Sequence, residues 1–147
     1  MPAALLLYAP MAFTDNPPEF IHPLRVYWED TDAGGVVFYA NYLKFFERAR
    51  TEWLRSLGFH QERMRVDEGS MFIVAETQVR YLRPARLDDE LAVSVHVVES
   101  GRASIRLAQA ARRAGETLAE GEIRIGCVDT ASFRPRRIPN DILHAIA

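Results

Sequence analysis

Residues 25–50 read Arg-Val-Tyr-Trp-Glu-Asp-Thr-Asp-Ala-Gly-Gly-Val-Val-Phe-Tyr-Ala-Asn-Tyr-Leu-Lys-Phe-Phe-Glu-Arg-Ala-Arg, and the same stretch runs on to Gly58-Phe59. Its periodicity changes partway. Leu24, Val26 and Trp28 alternate with Arg25, Tyr27 and Glu29, the period of two that a half-buried strand shows. From about Tyr39 the residues Tyr42, Phe45, Phe46, Ala49, Trp53 and Leu57 recur at three- and four-residue steps, which builds one apolar face of a helix. Lys44, Arg48, Glu52 and Arg55 fall mostly off that face. Gly58 follows the last apolar position, where a left-handed C-terminal cap is common. The expected unit is a strand, a turn and a helix of roughly four to five turns.

The turn carries the chemistry-bearing residues. Asp30 and Asp32 stand ahead of a helix N-terminus, where unpaired N–H groups and the positive end of the helix dipole gather. Gly34 and Gly35 permit positive backbone dihedrals or the close approach of a ligand to the main chain. A carboxylate beside an anion-stabilising corner suits hydrolysis. An Asp-x-Asp turn is equally ordinary turn chemistry, because Asp accepts bonds from nearby N–H groups, so the residues alone leave both readings open.

Working outward, residues 71–83, 90–99, 103–114 and 117–128 read as four further strands, with turns at Gly101 and at Ala114-Gly115. A strand, a helix and four strands in series imply an antiparallel sheet with one helix packed on it. His60 to Glu68 reads as a turn or short helix, proline ends the last strand at residues 134–139, and Asn140 is expected to cap a short terminal helix. Residues 24–147 then form a single domain. Residues 1–23 read as an N-terminal arm, expected to be poorly ordered. The arm's apolar run, Ala3 to Ala9, has no basic residue ahead of it, falls short of a signal peptide, and is far below the about 20 apolar residues of a membrane span. The 147 residues carry a formal charge of −2, with basic and acidic residues interspersed and no nucleic-acid-binding motif.

A longer comparison of motifs points to a family. Glu29 to Tyr42, then Phe46-Glu47-Arg48-Ala49-Arg50-Thr51-Glu52, then Tyr81 to Asp89 and Pro135 to Pro139, resemble the hotdog-fold thioesterases of the 4-hydroxybenzoyl-CoA type. Within them the chain is most similar to the YbgC-like branch of acyl-CoA thioesterases associated with the Tol-Pal system. The resemblance implies an α+β hotdog fold, with a five-stranded antiparallel sheet wrapped around one long central helix. It implies hydrolysis of short-chain or aromatic acyl-CoA. Asp32 would be the catalytic carboxylate, with Asp30 in support, and the backbone N–H near Tyr39 would polarise the thioester carbonyl. Several members of the branch have His where this chain has Tyr39. No cofactor is implied beyond the coenzyme A of the substrate. The implied partners are an acyl-CoA and copies of the chain itself, in dimers that pair sheets and assemble into a homotetramer, with a cytoplasmic location and no membrane insertion.

Among other candidates, arginine forks suit the phosphates of coenzyme A, and Arg83 and Arg136 are favoured over Arg86 and Arg137. Gly34 and Gly35 are the positions where substrate would lie against backbone. Glu47 is weighed because another hotdog group carries its catalytic carboxylate on the central helix, yet it stands beside the buried Phe45-Phe46 pair. Cys127, the only cysteine, reads as a buried strand residue. His22, His60, His96 and His144 lack metal-ligand spacing, so no metal is expected, and no Gly-x-Ser-x-Gly elbow is present. Two rival functions are a hotdog dehydratase, disfavoured because the helix-start motif lacks histidine, and a non-catalytic acyl-CoA or acyl-carrier-protein binding module of an envelope-associated assembly.

Overall fold

In the computed structural model, which describes residues 19–147, helix α1 (Asn41–Ser56) lies on one face of a five-stranded sheet. The strands are β1 (Phe20–Arg25), β2 (Ser70–Tyr81), β3 (Glu90–Ser100), β4 (Ser104–Arg113) and β5 (Glu116–Asp129). They pair antiparallel in the order β1-β3-β4-β5-β2. This is the α+β hotdog arrangement that the motifs imply. A short helix α2 (Asn140–Ile146) closes the chain and buries Ile142 and Ile146.

Strand alternation turns Leu91, Val93, Val95, Ile105, Leu107, Ile123 and Ile125 toward the helix, where they meet Phe45, Phe46, Ala49 and Leu54 in one buried cluster. Each large side chain buried this completely contributes about 1.5–3 kcal/mol. Cys127 belongs to the same cluster, as its strand position indicated. Irregular registers at Val74/Glu76 in β2 and at Val97/Glu99 in β3 bend the sheet around the helix, since a bulged strand kinks and twists more strongly.

Four expectations are corrected. The first strand begins inside the presumed arm: Phe20, Ile21, His22 and Pro23 pair with β3 from Val95 to Ala92. Pro23 is tolerated because β1 is an edge strand. Trp28 does not continue that strand; residues Trp28–Asp30 form a 3-10 turn that swings the indole out, leaving it 79% exposed. The helix starts at Asn41, with Tyr39 and Ala40 in the turn before it. Asn140 is the first helical residue, and Pro139 holds the cap position. The remainder of the presumed arm, residues 1–18, lies outside the described residues.

Gly121 shows how closely β2 and β5 approach. A Cβ there would sit 2.2 Å from the Gln78 carbonyl oxygen. Gly121→Ala is therefore expected to destabilise the fold by about 2–3 kcal/mol, read as a lower urea midpoint with unchanged slope.

The Arg113 guanidinium donates to Asp89 Oδ2 at 2.8 Å and ties the end of β4 to the loop before β3. Desolvation pushes the Asp89 carboxyl up, but the Arg86 N–H and Arg113 outweigh it and hold the group below the ordinary 3.8. A depressed carboxylate stabilises the folded state above its unfolded pKa and loses that contribution as pH falls through the folded value. The stability difference between wild type and Asp89→Asn is expected to stay constant from about pH 7 to pH 5 and to shrink below about pH 4. Denaturant titrations at stepped pH measure it.

Candidate active site

The turn between β1 and α1 is a small closed loop. Thr31 and Val37 form an antiparallel bridge, Asp32 N–H donates to Val36 O at 2.8 Å, and Gly35 N–H donates to Asp32 O at 3.0 Å. Gly35 has φ +79, a conformation that a side chain with Cβ adopts only under strain. The Asp32 carboxylate sits at the exposed tip. Its Oδ1 accepts the Gly34 N–H at 2.8 Å and, more distantly, the Val36 N–H at 3.5 Å. Oδ2 has no hydrogen bond among the described residues. One oxygen is thus anchored by backbone and the other faces outward.

Asp30 plays a different part. It is 5% exposed, its Oδ2 accepts the Tyr27 N–H at 2.8 Å, and its carbonyl accepts both the Phe38 N–H at 2.9 Å and the Asn41 side-chain amide at 2.8 Å. These bonds join the 3-10 turn, the glycine loop and the first residue of α1. The loop is braced from its other side as well, because Val37 N–H donates to Ala85 O and Val36 bridges Arg86.

At the helix start, Asn41 N–H bonds Phe38 O and Leu43 N–H bonds Ala40 O, while the N–H groups of Tyr39, Ala40 and Tyr42 have no partner among the described residues. They are the orphan donors of a helix N-terminus. The Tyr81 hydroxyl donates to Tyr39 O at 2.9 Å. Because the peptide is planar, fixing that carbonyl also fixes the direction of the Ala40 N–H on its opposite side. Around this corner lies an exposed apolar and aromatic surface that includes Tyr27, Trp28, Phe38, Tyr39, Leu43 and Leu82.

The sequence-derived residues do not all converge. Asp32, Gly34, Gly35 and Tyr39 share the corner. Arg83 lies just beyond β2, within 3.8 Å of Glu116, whereas Arg136 donates to Gly69 O and Asp129 at the opposite end of β2. Eleven residue steps at about 3.3 Å separate those ends by roughly 36 Å. Arg86, ranked lower by sequence, has its backbone beside the turn. Glu47 accepts the Thr51 hydroxyl on the side of α1. Sequence reading missed Asn41 and Tyr81; the position of Asn41 at the change from period two to the helical period was the available signal, and Tyr81 had none. No group of three or more His, Cys, Asp or Glu able to hold a metal exists among the described residues.

A five-stranded antiparallel sheet wrapped around one long helix is the hotdog fold, and within it the chain is one of the acyl-thioester hydrolases. The model of the thioesterase-like superfamily matches residues 26–146, and the chain belongs to that superfamily. It is 42% identical over 123 residues to the acyl-CoA thioesterase YbgC of Haemophilus influenzae, covering 84% of this chain and 90% of that one. It is also 42% identical to the acyl-CoA thioester hydrolase YbgC of Escherichia coli O6:H1 over 125 residues, covering 84% and 92%. Among solved structures, the BH1999 gentisyl-coenzyme A thioesterase superposes with a TM-score of 0.79 at 27% identity, covering 86% of this chain and 99% of that one.

Asn41→Ala removes the side-chain bond that fixes the loop to the helix. It is expected to cost about 1–2 kcal/mol and to lower thioester hydrolysis, measured by denaturant unfolding and by thiol release on the same preparation.

Proposed function

We propose the following division of labour for the acyl-CoA thioester hydrolysis that this chain carries out. The thioester carbonyl oxygen rests against the unpaired N–H groups of Tyr39 and Ala40, and Asp32 acts on the carbonyl carbon through its outward oxygen. The observation that carries this reading is the anchored aspartate turn held beside a helix start whose donors are unpaired. Each donor aimed at a developing oxyanion contributes about 3–4 kcal/mol. Asp32 works either by taking a proton from water, which then adds to the carbonyl carbon as the C–S bond breaks, or by attacking to give a mixed anhydride that water opens. Both routes end in free acid and coenzyme A and draw on water alone, without a cofactor. A short-chain or small aromatic acyl group is the proposed substrate class.

The functional unit we propose is a dimer paired along β2, itself part of a homotetramer in the cytoplasm. β2 is an edge strand twelve residues long with Ile73 and Val74 exposed, and such an edge is a template for strand pairing. A two-fold axis at its middle would set the start of one β2 beside the end of the other. The partner subunit's Arg136 would then approach the corner that Arg83 flanks, and both could reach one coenzyme A. No helix among the described residues is long and apolar enough to cross a membrane.

Asp32→Asn keeps the shape of the turn and removes the base or nucleophile. Its kcat on a panel of aliphatic and aromatic acyl-CoA thioesters is expected to fall by at least about 100-fold, with coenzyme A binding retained. Near-normal turnover by this variant would refute the assignment. Saturable binding with no thiol release from any thioester by wild type would instead favour a binding module.

A further inference from the structure

Between α1 and the first half of β2 lies a cavity of about 140 Å³. Its helix wall carries Glu47, Arg50 and Thr51, and its strand wall carries Phe72, Ile73 and Val74. Arg50 is the unusual member. It is 9% exposed, and its one side-chain partner is Gln109, whose Oε1 accepts from Nη1 at 2.9 Å. Gln109 is itself committed, donating to Phe46 O and Ser94 O. No ion pair among the described residues involves Arg50. A guanidinium has five N–H donors in a fixed fork, so several are left without a protein partner on a residue that lines the cavity. Burial pushes this guanidinium down and Glu47 opposes that.

No fully buried side-chain nitrogen among the described residues lacks a partner, so these remaining donors reach solvent, where water or a ligand oxygen can meet them. Glu47 on the same wall has one oxygen occupied by the Thr51 hydroxyl and supplies a nearby acceptor. Together the two charges sum to zero. A hydroxyl, which can accept from Arg50 and donate to Glu47, fits that pair, whereas a carboxylate would face repulsion from Glu47. The volume suits about four or five non-hydrogen atoms, taking roughly 30 Å³ for each small group.

We propose that this cavity receives the acyl end of the substrate and that Arg50 is its specificity-determining residue, selecting short acyl groups that carry a hydroxyl. The proposal rests on the β2-paired dimer above. Such pairing sets the partner's Thr77 to Val79 opposite Phe72 to Val74 and the partner's Tyr81 opposite Ser70, which would bring the partner's Asp32 corner close to the cavity. Within one protomer the cavity lies about 13 Å along α1 from the helix start, at 1.5 Å per residue, too far for a four-carbon acyl group.

The test compares kcat/KM for butyryl-CoA, 3-hydroxybutyryl-CoA and succinyl-CoA in wild type, Arg50→Met and Arg50→Lys, each checked for folded state by circular dichroism. Wild type is expected to favour the hydroxyacyl thioester over butyryl by about tenfold, the worth of one charged hydrogen bond. That ratio is expected to fall toward one in Arg50→Met and to be partly kept in Arg50→Lys. Because Arg50→Met can fail to fold, Ile73→Phe on the strand wall provides a second arm, in which the butyryl-to-acetyl ratio is expected to drop severalfold. Butyryl turnover with no hydroxyl preference overturns the inference and leaves the hydrolase reading intact, and so does a preference for succinyl. An acyl ratio unmoved by Ile73→Phe also overturns it. Absence of turnover on every thioester overturns both.

Discussion

The carbonyl of Asp30 is the point on which the candidate site depends. It accepts from Phe38 N–H and from the Asn41 amide, while the carboxylate of the same residue holds Tyr27 N–H. One buried residue therefore fixes the turn after the first strand, the glycine loop and the helix start relative to one another. Without these bonds, the loop that carries Asp32 would be tied to the helix start mainly through its bracing on Ala85 and Arg86. Preorganised donors are effective because they need no reorganisation as charge develops, and here that organisation is produced by backbone bonds to a residue that does not itself reach the surface.

Much of this was legible in the sequence because the physics behind it is local. The apolar face from Tyr42 to Leu57 and the alternation in β3 and β5 follow from periods that any half-buried helix or strand must show. The glycines and aspartates of the turn announced themselves by their backbone preferences. The first strand was misplaced for an equally physical reason: His22 and Pro23 interrupt the usual strand signals, and only an edge position, which is a property of the whole sheet, makes Pro23 acceptable. Trp28 was assigned to the strand by alternation, yet the Asp30 bond to Tyr27 turns the chain first.

What the sequence could not reveal are the contacts between residues far apart in the chain. Tyr81 reaches Tyr39 across forty-two positions, and Arg50 meets Gln109 across fifty-nine. Neither pairing leaves a periodic trace. Arg50 fits the helical face by its spacing, and a cation within an apolar stripe reads as an exposed flank until the strand beneath it is known. The separation of Arg83 from Arg136 is of the same kind, since two arginines that both suit a phosphate stand at opposite ends of one strand.

That separation and the exposure of the corner lead to the same physical requirement. Tyr39 is 63% exposed, and N–H donors open to water lose much of their advantage over water itself, because their strength depends on a water-excluded setting. On the proposed reading, a corner built so rigidly yet left open would gain from a cover that excludes water. The apolar surface around it and the edge of β2, which has no second strand beside it among the described residues, are the features that a covering subunit would use. A two-fold pairing along that edge would dry the corner, close the cavity beside Arg50 and bring the distant arginines together in one step, so one pairing would answer to three separate features of the single chain.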